Sequence, residues 1–176
     1  MLPQRTPSLT LVAALDADGG IGADGSLPWR FSNDLKRFKQ LTCTAPEGQL
    51  NALLMGRKTW YSLPKRPLPG RLNIVLSRQA LALPPEVLLA TSWQEAMAQC
   101  DARPTLFTRF VIGGASLYAK ALEQSQACIL ELTRLHGRWP CDVHFPSFDN
   151  AFSLEWRSEL EWEGTTAYHF ERWTRG

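Results

Sequence analysis

The chain is short of cysteine, of excess charge and of long apolar runs, and each shortage removes a class of function. Its four cysteines (Cys43, Cys100, Cys128 and Cys141) form no CxxC pair and no Cys/His ligand spacing. That excludes a disulfide framework and a zinc module, and fits reduced, partly buried thiols of a cytoplasmic protein. His136, His144 and His169 fall in no ligand pattern on one element, so no metal site is expected. A formal net charge of +2 is too small to expect binding to nucleic acid or an anionic membrane surface. No apolar stretch is long enough to span a bilayer, and residues 1–7 lack the apolar core of a signal peptide. Those seven residues read as a flexible N-terminal extension. Repeats, low-complexity tracts and a domain linker are also missing. With 176 residues and 44% hydrophobic content, what is left is one domain, 1–176, with ample material for a core.

Strand and helix patterns alternate along the chain. Leu9–Leu15 is a short apolar run closed by Asp16-Ala17-Asp18-Gly19-Gly20, the mark of a strand buried on both faces. A Gly-rich loop follows to Leu27. Leu50–Met55, Leu72–Ser77, Val87–Ala90, Thr108–Ile112 and Ala127–Thr133 read as further strands. Helices open at Ser32, Gly56 and Gly113, and after the capping box Ser92-Trp93-Gln94-Glu95. Phe152–Glu161 and Thr165–Thr174 alternate in polarity around Glu163-Gly164, which predicts an antiparallel hairpin on the sheet edge. The pattern predicts an α/β fold with a largely parallel sheet. Ligands in such sheets bind beyond the carboxyl ends of the strands, where the Gly-rich loop, the Ser32 helix and the two Gly turns would converge.

One helix carries the chemistry. Ser32 is the N-cap candidate, Asp34 falls in the first turn, and Asp34, Phe38 and Leu41 share an apolar stripe with Leu35 beside it. Lys36, Lys39 and Gln40 take the other face. Asp34 is then either a dipole-stabilising acid or a lone carboxylate in an apolar pocket, suited to an amidine-like group or a proton. Other segments carry cations. Gly56-Arg57-Lys58-Thr59-Trp60 places two at a strand-to-helix turn, and Arg71 ends the rigid loop Pro64–Gly70, where it could grip a carboxylate bidentately. Gly113-Gly114 permits close approach of a pyrophosphate, although the turn alone is weak support.

Taken together and in order, these segments resemble the bacterial dihydrofolate reductases from about Leu9 to Thr174. The matching motifs are Ala13-Ala14 with Ile21-Gly22, Leu27-Pro28-Trp29, Asp34-Leu35 with Phe38-Lys39, and Met55 to Trp60. Arg66 to Asn73, Ile112 to Tyr118, Leu132-Thr133 and Asp142 to Pro146 complete the set. The resemblance implies a dihydrofolate-reductase-like fold: a mostly parallel eight-stranded sheet, an antiparallel C-terminal hairpin and about four helices. It also implies NADPH-dependent reduction of 7,8-dihydrofolate to tetrahydrofolate by a cytoplasmic monomer open to antifolates such as trimethoprim and methotrexate.

Residue roles come with it. Asp34 would bind the 2-amino group and N3 of the pterin, with Thr133 joining through water. Trp29 would hold a water near Asp34, and Leu27 would lie in the loop closing over the nicotinamide. Val12, Ala14, Leu35, Phe38, Leu63, Leu68 and Ile112 would line the pterin and aminobenzoyl pocket, and Arg71 would pair with the glutamate tail. On the cofactor side stand Ala14, Ile21, Gly22 and Ile112 and, at the adenosine end, Gly56, Arg57, Lys58, Thr59, Ser77 and Arg78. Gly113, Gly114, Ala115, Ser116, Leu117 and Tyr118 would hold the pyrophosphate, with the Gly-Gly peptide cis.

Among the pocket positions so assigned, Asp34 is the only charged one. Leu41–Leu50 is longer than in compact members of the family, and the final hairpin turn is short. Two rivals share the fold class: a reductase acting on another pterin or a pyrimidine precursor, and a nucleotide-binding module without catalysis. The first has no use for Arg71, and the second predicts a broken pterin pocket.

Overall fold

The computed structural model describes residues 8–124, 127–148 and 150–176, so the expected N-terminal extension and the side chain of Cys128 lie outside the described residues. Strand β1 (Ser8–Leu15) runs through the middle, parallel to both of its neighbours, β6 (Leu106–Val111) and β7 (Ala127–Leu135). Beyond β6 lie β3 (Leu50–Gly56), β4 (Leu72–Leu76) and β5 (Leu88–Ala90), all parallel. On the other side β11 (Thr166–Arg175) pairs antiparallel with β7. Its outer edge is shared by β9 (Phe152–Arg157) and β10 (Glu161–Glu163). The nine strands therefore occupy eight positions across the sheet.

The predicted strand Phe152–Glu161 is broken in two. At Ser158 the chain leaves the ladder: the Ser158 N–H donates to the Phe170 carbonyl, and the Ser158 hydroxyl accepts from the Phe170 N–H at 2.9 Å. The turn closing the hairpin is the two residues Gly164-Thr165, with Gly164 at φ 60°. It is short, as expected.

The parallel strands bury both faces, which explains their continuous apolar sequence. In β3, Ala52 and Leu54 enter one core with Leu11, Ile74 and Val111, while Leu53 and Met55 enter the opposite core with Val75 and Phe110. Among the described residues four helices flank the sheet: α1 (Ser32–Cys43), α2 (Arg57–Ser62), α3 (Trp93–Asp101) and α4 (Ala115–Leu122).

Ser92 caps α3 as predicted, accepting from the Glu95 N–H at 3.0 Å, but Glu95 reaches back to Thr91 instead of Ser92. Ser32 is not the N-cap of α1. Phe31 holds that position without a side-chain bond, and the cap comes from the C-terminal hairpin. Glu163 accepts from the N–H groups of Ser32 and Asn33 at 2.8 and 3.0 Å, supplying the anion that a helix start favours.

A two-stranded sheet went unforeseen. β2 (Gly20–Gly22) pairs antiparallel with β8 (Val143–His144) and pins the Gly-rich loop to the chain after Cys141. Asp16 anchors the loop's start, its carboxylate accepting from the N–H groups of Asp18, Gly20 and Trp139. Burial works against that charge, yet these bonds outweigh it and hold the Asp16 carboxyl below its usual range.

No helix among the described residues is long and apolar enough to cross a membrane, and no cluster of three or more ligating side chains could hold a metal there. Cys43, Cys100 and Cys141 are free thiols. Cys100 is buried and Cys141 half-buried, but Cys43 is exposed, contrary to expectation, because it closes α1 on the solvent side.

Candidate active site

A cavity of about 570 Å³ opens beyond the carboxyl ends of β1, β3, β6 and β7. Its walls come from the Gly-rich loop, the inner face of α1, the start of α2 and the start of α4. The loop, α2 and α4 each follow a strand and α1 follows the loop, so the strand ends gather segments distant in sequence.

At one end lies Asp34. The Thr133 hydroxyl donates to its Oδ1 at 2.6 Å. Burial raises the Asp34 carboxyl above its usual range. The Thr133 bond and the Arg37 charge pull it down, and Glu163 pushes it up. Val12, Ala14, Leu35, Phe38, Leu63 and Ile112 line the same space. Leu35 is 46% exposed, and its exposure is toward the cavity mouth it lines. This is a carboxylate in an apolar slot, able to bind a group offering two adjacent N–H donors.

Toward the other end the surroundings become polar. Gly56, Arg57, Lys58 and Thr59 line one wall, and Gly113, Gly114, Ala115, Ser116 and Tyr118 the other. The Gly113–Gly114 peptide is cis, and the Gly113 carbonyl accepts from the Gly56 N–H at 2.8 Å, joining the two turns. Gly113 has φ 129°, and a Cβ there would stand 3.2 Å from the Thr59 hydroxyl. Ala115 and Ser116 open α4, so their N–H groups have no acceptor within the helix. The cradle of glycines, free N–H groups and exposed Arg57 and Lys58 fits the diphosphate of a dinucleotide. Tyr118 braces the wall from behind, donating to the Val12 carbonyl at 2.6 Å, and burial keeps its phenol far above its usual range.

Six of the expected residues do not line the cavity. Leu117 is buried in the main core, since its position on α4 faces the sheet. Leu68 packs in the second core beside Val75 and Trp60. Arg71 is 9% exposed and donates to the Thr42 hydroxyl at 2.9 Å and to the Pro69 carbonyl at 3.0 Å. Ser77 and Arg78 follow β4, with the Ser77 hydroxyl engaged by Gln79. Trp29 is buried against Trp139, and its Nε1 has no acceptor among the described residues. Ile21, Gly22 and Leu27 do line the cavity, in the loop over its mouth.

Asp34 is not the only charged group in the slot. Arg37 and Glu131 line it too, joined at 2.8 Å. Both signals were present in the sequence: Arg37 lies one turn after Asp34, and Glu131 lies two residues before Thr133, on the same face of a strand.

A dihydrofolate reductase family profile matches residues 8–175. The chain belongs to the dihydrofolate reductase family. Membership makes it an oxidoreductase of folate metabolism. Relatives include the dihydrofolate reductase of Aedes albopictus, 39% identical over 82% of each chain, and that of Drosophila melanogaster, 37% identical over 81% of each. The bifunctional dihydrofolate reductase-thymidylate synthase of Glycine max is 36% identical over 99% of this chain, which spans only 35% of that longer protein. These relatives are animal and plant proteins, so they support the family without the bacterial attribution.

Proposed function

We propose that the chain reduces 7,8-dihydrofolate to 5,6,7,8-tetrahydrofolate with NADPH. The observation that carries this reading is the Asp34–Thr133 pair: a carboxylate with one oxygen held by a hydroxyl, at the apolar end of a cavity whose other end is a glycine and cation cradle. The 2-amino group and N3 of a pterin offer the paired donors that such a carboxylate accepts.

When bound, NADPH supplies the hydride that reaches C6 of the pterin. The chain's own residues do the rest. Phe38, Leu35 and Ile112 would hold the pterin beside the cofactor, and Ile21, Gly22 and Leu27 would shield the slot from bulk water. Gly113, Gly114, Ala115 and Ser116 hold the diphosphate, and Arg57, Lys58 and Arg78 the 2′-phosphate. Asp34 fixes the pterin and offers negative charge where the ring gains a proton. That proton reaches N5 from water, and the Trp29 Nε1–H, a buried donor with no acceptor among the described residues, is free to hold one. Arg71 takes the carboxylate of the glutamate tail.

Loss of NADPH absorbance with dihydrofolate, proportional to enzyme concentration, tests the reading. NADPH is expected to exceed NADH by at least about tenfold in kcat/KM, corresponding to about 1.4 kcal/mol from the cations on the 2′-phosphate. Equal efficiency would remove that assignment, and no dihydrofolate-dependent oxidation would remove the function.

A further inference from the structure

α1 docks on β7 through two polar rungs. Asp34 and Arg37, one turn apart on the helix, meet Thr133 and Glu131, two residues apart on one face of the strand. The upper rung is the 2.6 Å hydroxyl–carboxylate bond, and the lower is the 2.8 Å Arg37–Glu131 ion pair. The Glu131 side chain is only 4% exposed, and its second oxygen accepts from Arg172 on β11 at 2.6 Å. Phe170 lies 4.3 Å beneath the Arg37 guanidinium, with Trp156 beside it at 5.6 Å. Arg37 and Glu131 line the slot with Asp34, while Arg172, outside it, draws on the same Glu131 carboxylate, so Glu131 does not neutralise Arg37 alone.

We infer that Arg37 and Glu131 are a positioning pair for Asp34: their bridge fixes α1 on β7, and Arg37, sharing Glu131 with Arg172, keeps positive charge one helical turn from the Asp34 carboxylate. The inference rests on the proposed reduction of dihydrofolate at this site. A buried ion pair is a costly way to dock a helix when apolar residues would serve, so its charge is the feature to test. The groups facing Asp34 are Arg37 on its own helix, Thr133 and Glu131 on β7, Tyr118 on α4, Glu163 on β10 and, through Glu131, Arg172 on β11. A cation here disfavours proton uptake by the carboxylate and by the bound pterin alike. Its removal therefore raises the midpoint of the pH–rate profile whichever group titrates.

The experiment is single-turnover dihydrofolate reduction from pH 5 to 9 by wild type, Arg37→Gln and Arg37→Lys. Arg37→Gln is expected to move the midpoint up by about half a pH unit or more. Arg37→Lys keeps the charge and is expected to hold the midpoint while turning over more slowly. Should Arg37→Gln not fold, Arg37→Met keeps the packing over Phe170 and is expected to show the same shift. Slower turnover in all variants with one common midpoint would reduce the pair to a structural bridge and overturn the inference. Failure of the function itself would be distinct, because wild type would then not oxidise NADPH with dihydrofolate at any pH.

Discussion

Asp34 is held under two opposed demands. Its apolar surroundings push the carboxyl toward neutrality, while Thr133 and Arg37 favour the charge. A group balanced in this way suits a reaction in which the substrate gains a proton. Arg71 is the contrasting residue: buried against Thr42 and Pro69, it is fixed in place before any ligand arrives, and burial lowers its basicity. Arg71→Leu is expected to raise the KM for dihydrofolate by about ten- to a hundredfold, the loss of one charge-assisted pair, and to leave NADPH affinity unchanged. Titration with a pterin lacking the glutamate tail checks the role, since its affinity should not respond to the substitution. An equal loss with that ligand would give Arg71 a purely structural part.

Among the elements, the Gly-rich loop depends most on one position. At Gly20 a Cβ would stand 2.5 Å from the Cys141 sulfur and 2.6 Å from its Cβ, so β2 can meet β8 only with glycine there. Gly20→Ala is expected to cost about 1–3 kcal/mol of stability, as overpacking does, and to raise the KM for NADPH because the loop over the cavity mouth is unpinned. Melting curves together with initial rates check both, and an unchanged melting temperature would contradict the packing. This element also shows where the sequence stops being readable. The apolar runs Leu9–Leu15 and Leu50–Met55 announce buried strands by themselves, because burial on both faces demands it. The pairing of Gly20–Gly22 with Val143–His144 leaves no such trace: both strands are short, and their ladder is set by residues more than a hundred positions apart. The cap on α1 was hidden for the same reason, since Ser32 carries the local signal and Glu163 supplies the bond.

At the scale of the whole molecule, the parallel half of the sheet is held by its cores, and the antiparallel edge adds a charge network to its apolar packing. Glu171 on β11 accepts from His169 and Trp173 on its own strand, Arg134 on β7 and Arg157 on β9. Burial opposes its charge, but these bonds and the Arg134 charge outweigh it and hold the carboxyl down to about 2, from an ordinary 4.5. The sign follows from linkage. A depressed folded value means stability that is present above about pH 4.5 and drains away as the pH falls toward 2. Urea melts between pH 2 and 6 are expected to show a steeper acid loss for wild type than for Glu171→Gln, which is less stable at pH 6. Parallel curves would place the acid sensitivity elsewhere. The site was legible in the sequence where one residue type does one job, as with Asp34, Thr133 and Gly113-Gly114. It was not legible where the job is shared across elements, as with Arg37, Glu131 and Arg172.

The role proposed for Asp34 is that of the carboxylate binding the pterin, not merely a first-turn acid on α1. It is tested most directly by the single-turnover pH–rate profile of Asp34→Asn beside wild type. Dihydrofolate reduction at pH 7 is expected to fall by two or more orders of magnitude, with partial recovery as the pH falls and the substrate arrives protonated, and with an intact fold. A mutant that reduces dihydrofolate at pH 7 as fast as wild type, losing only about 0.3–1 kcal/mol of helix stability, would contradict it.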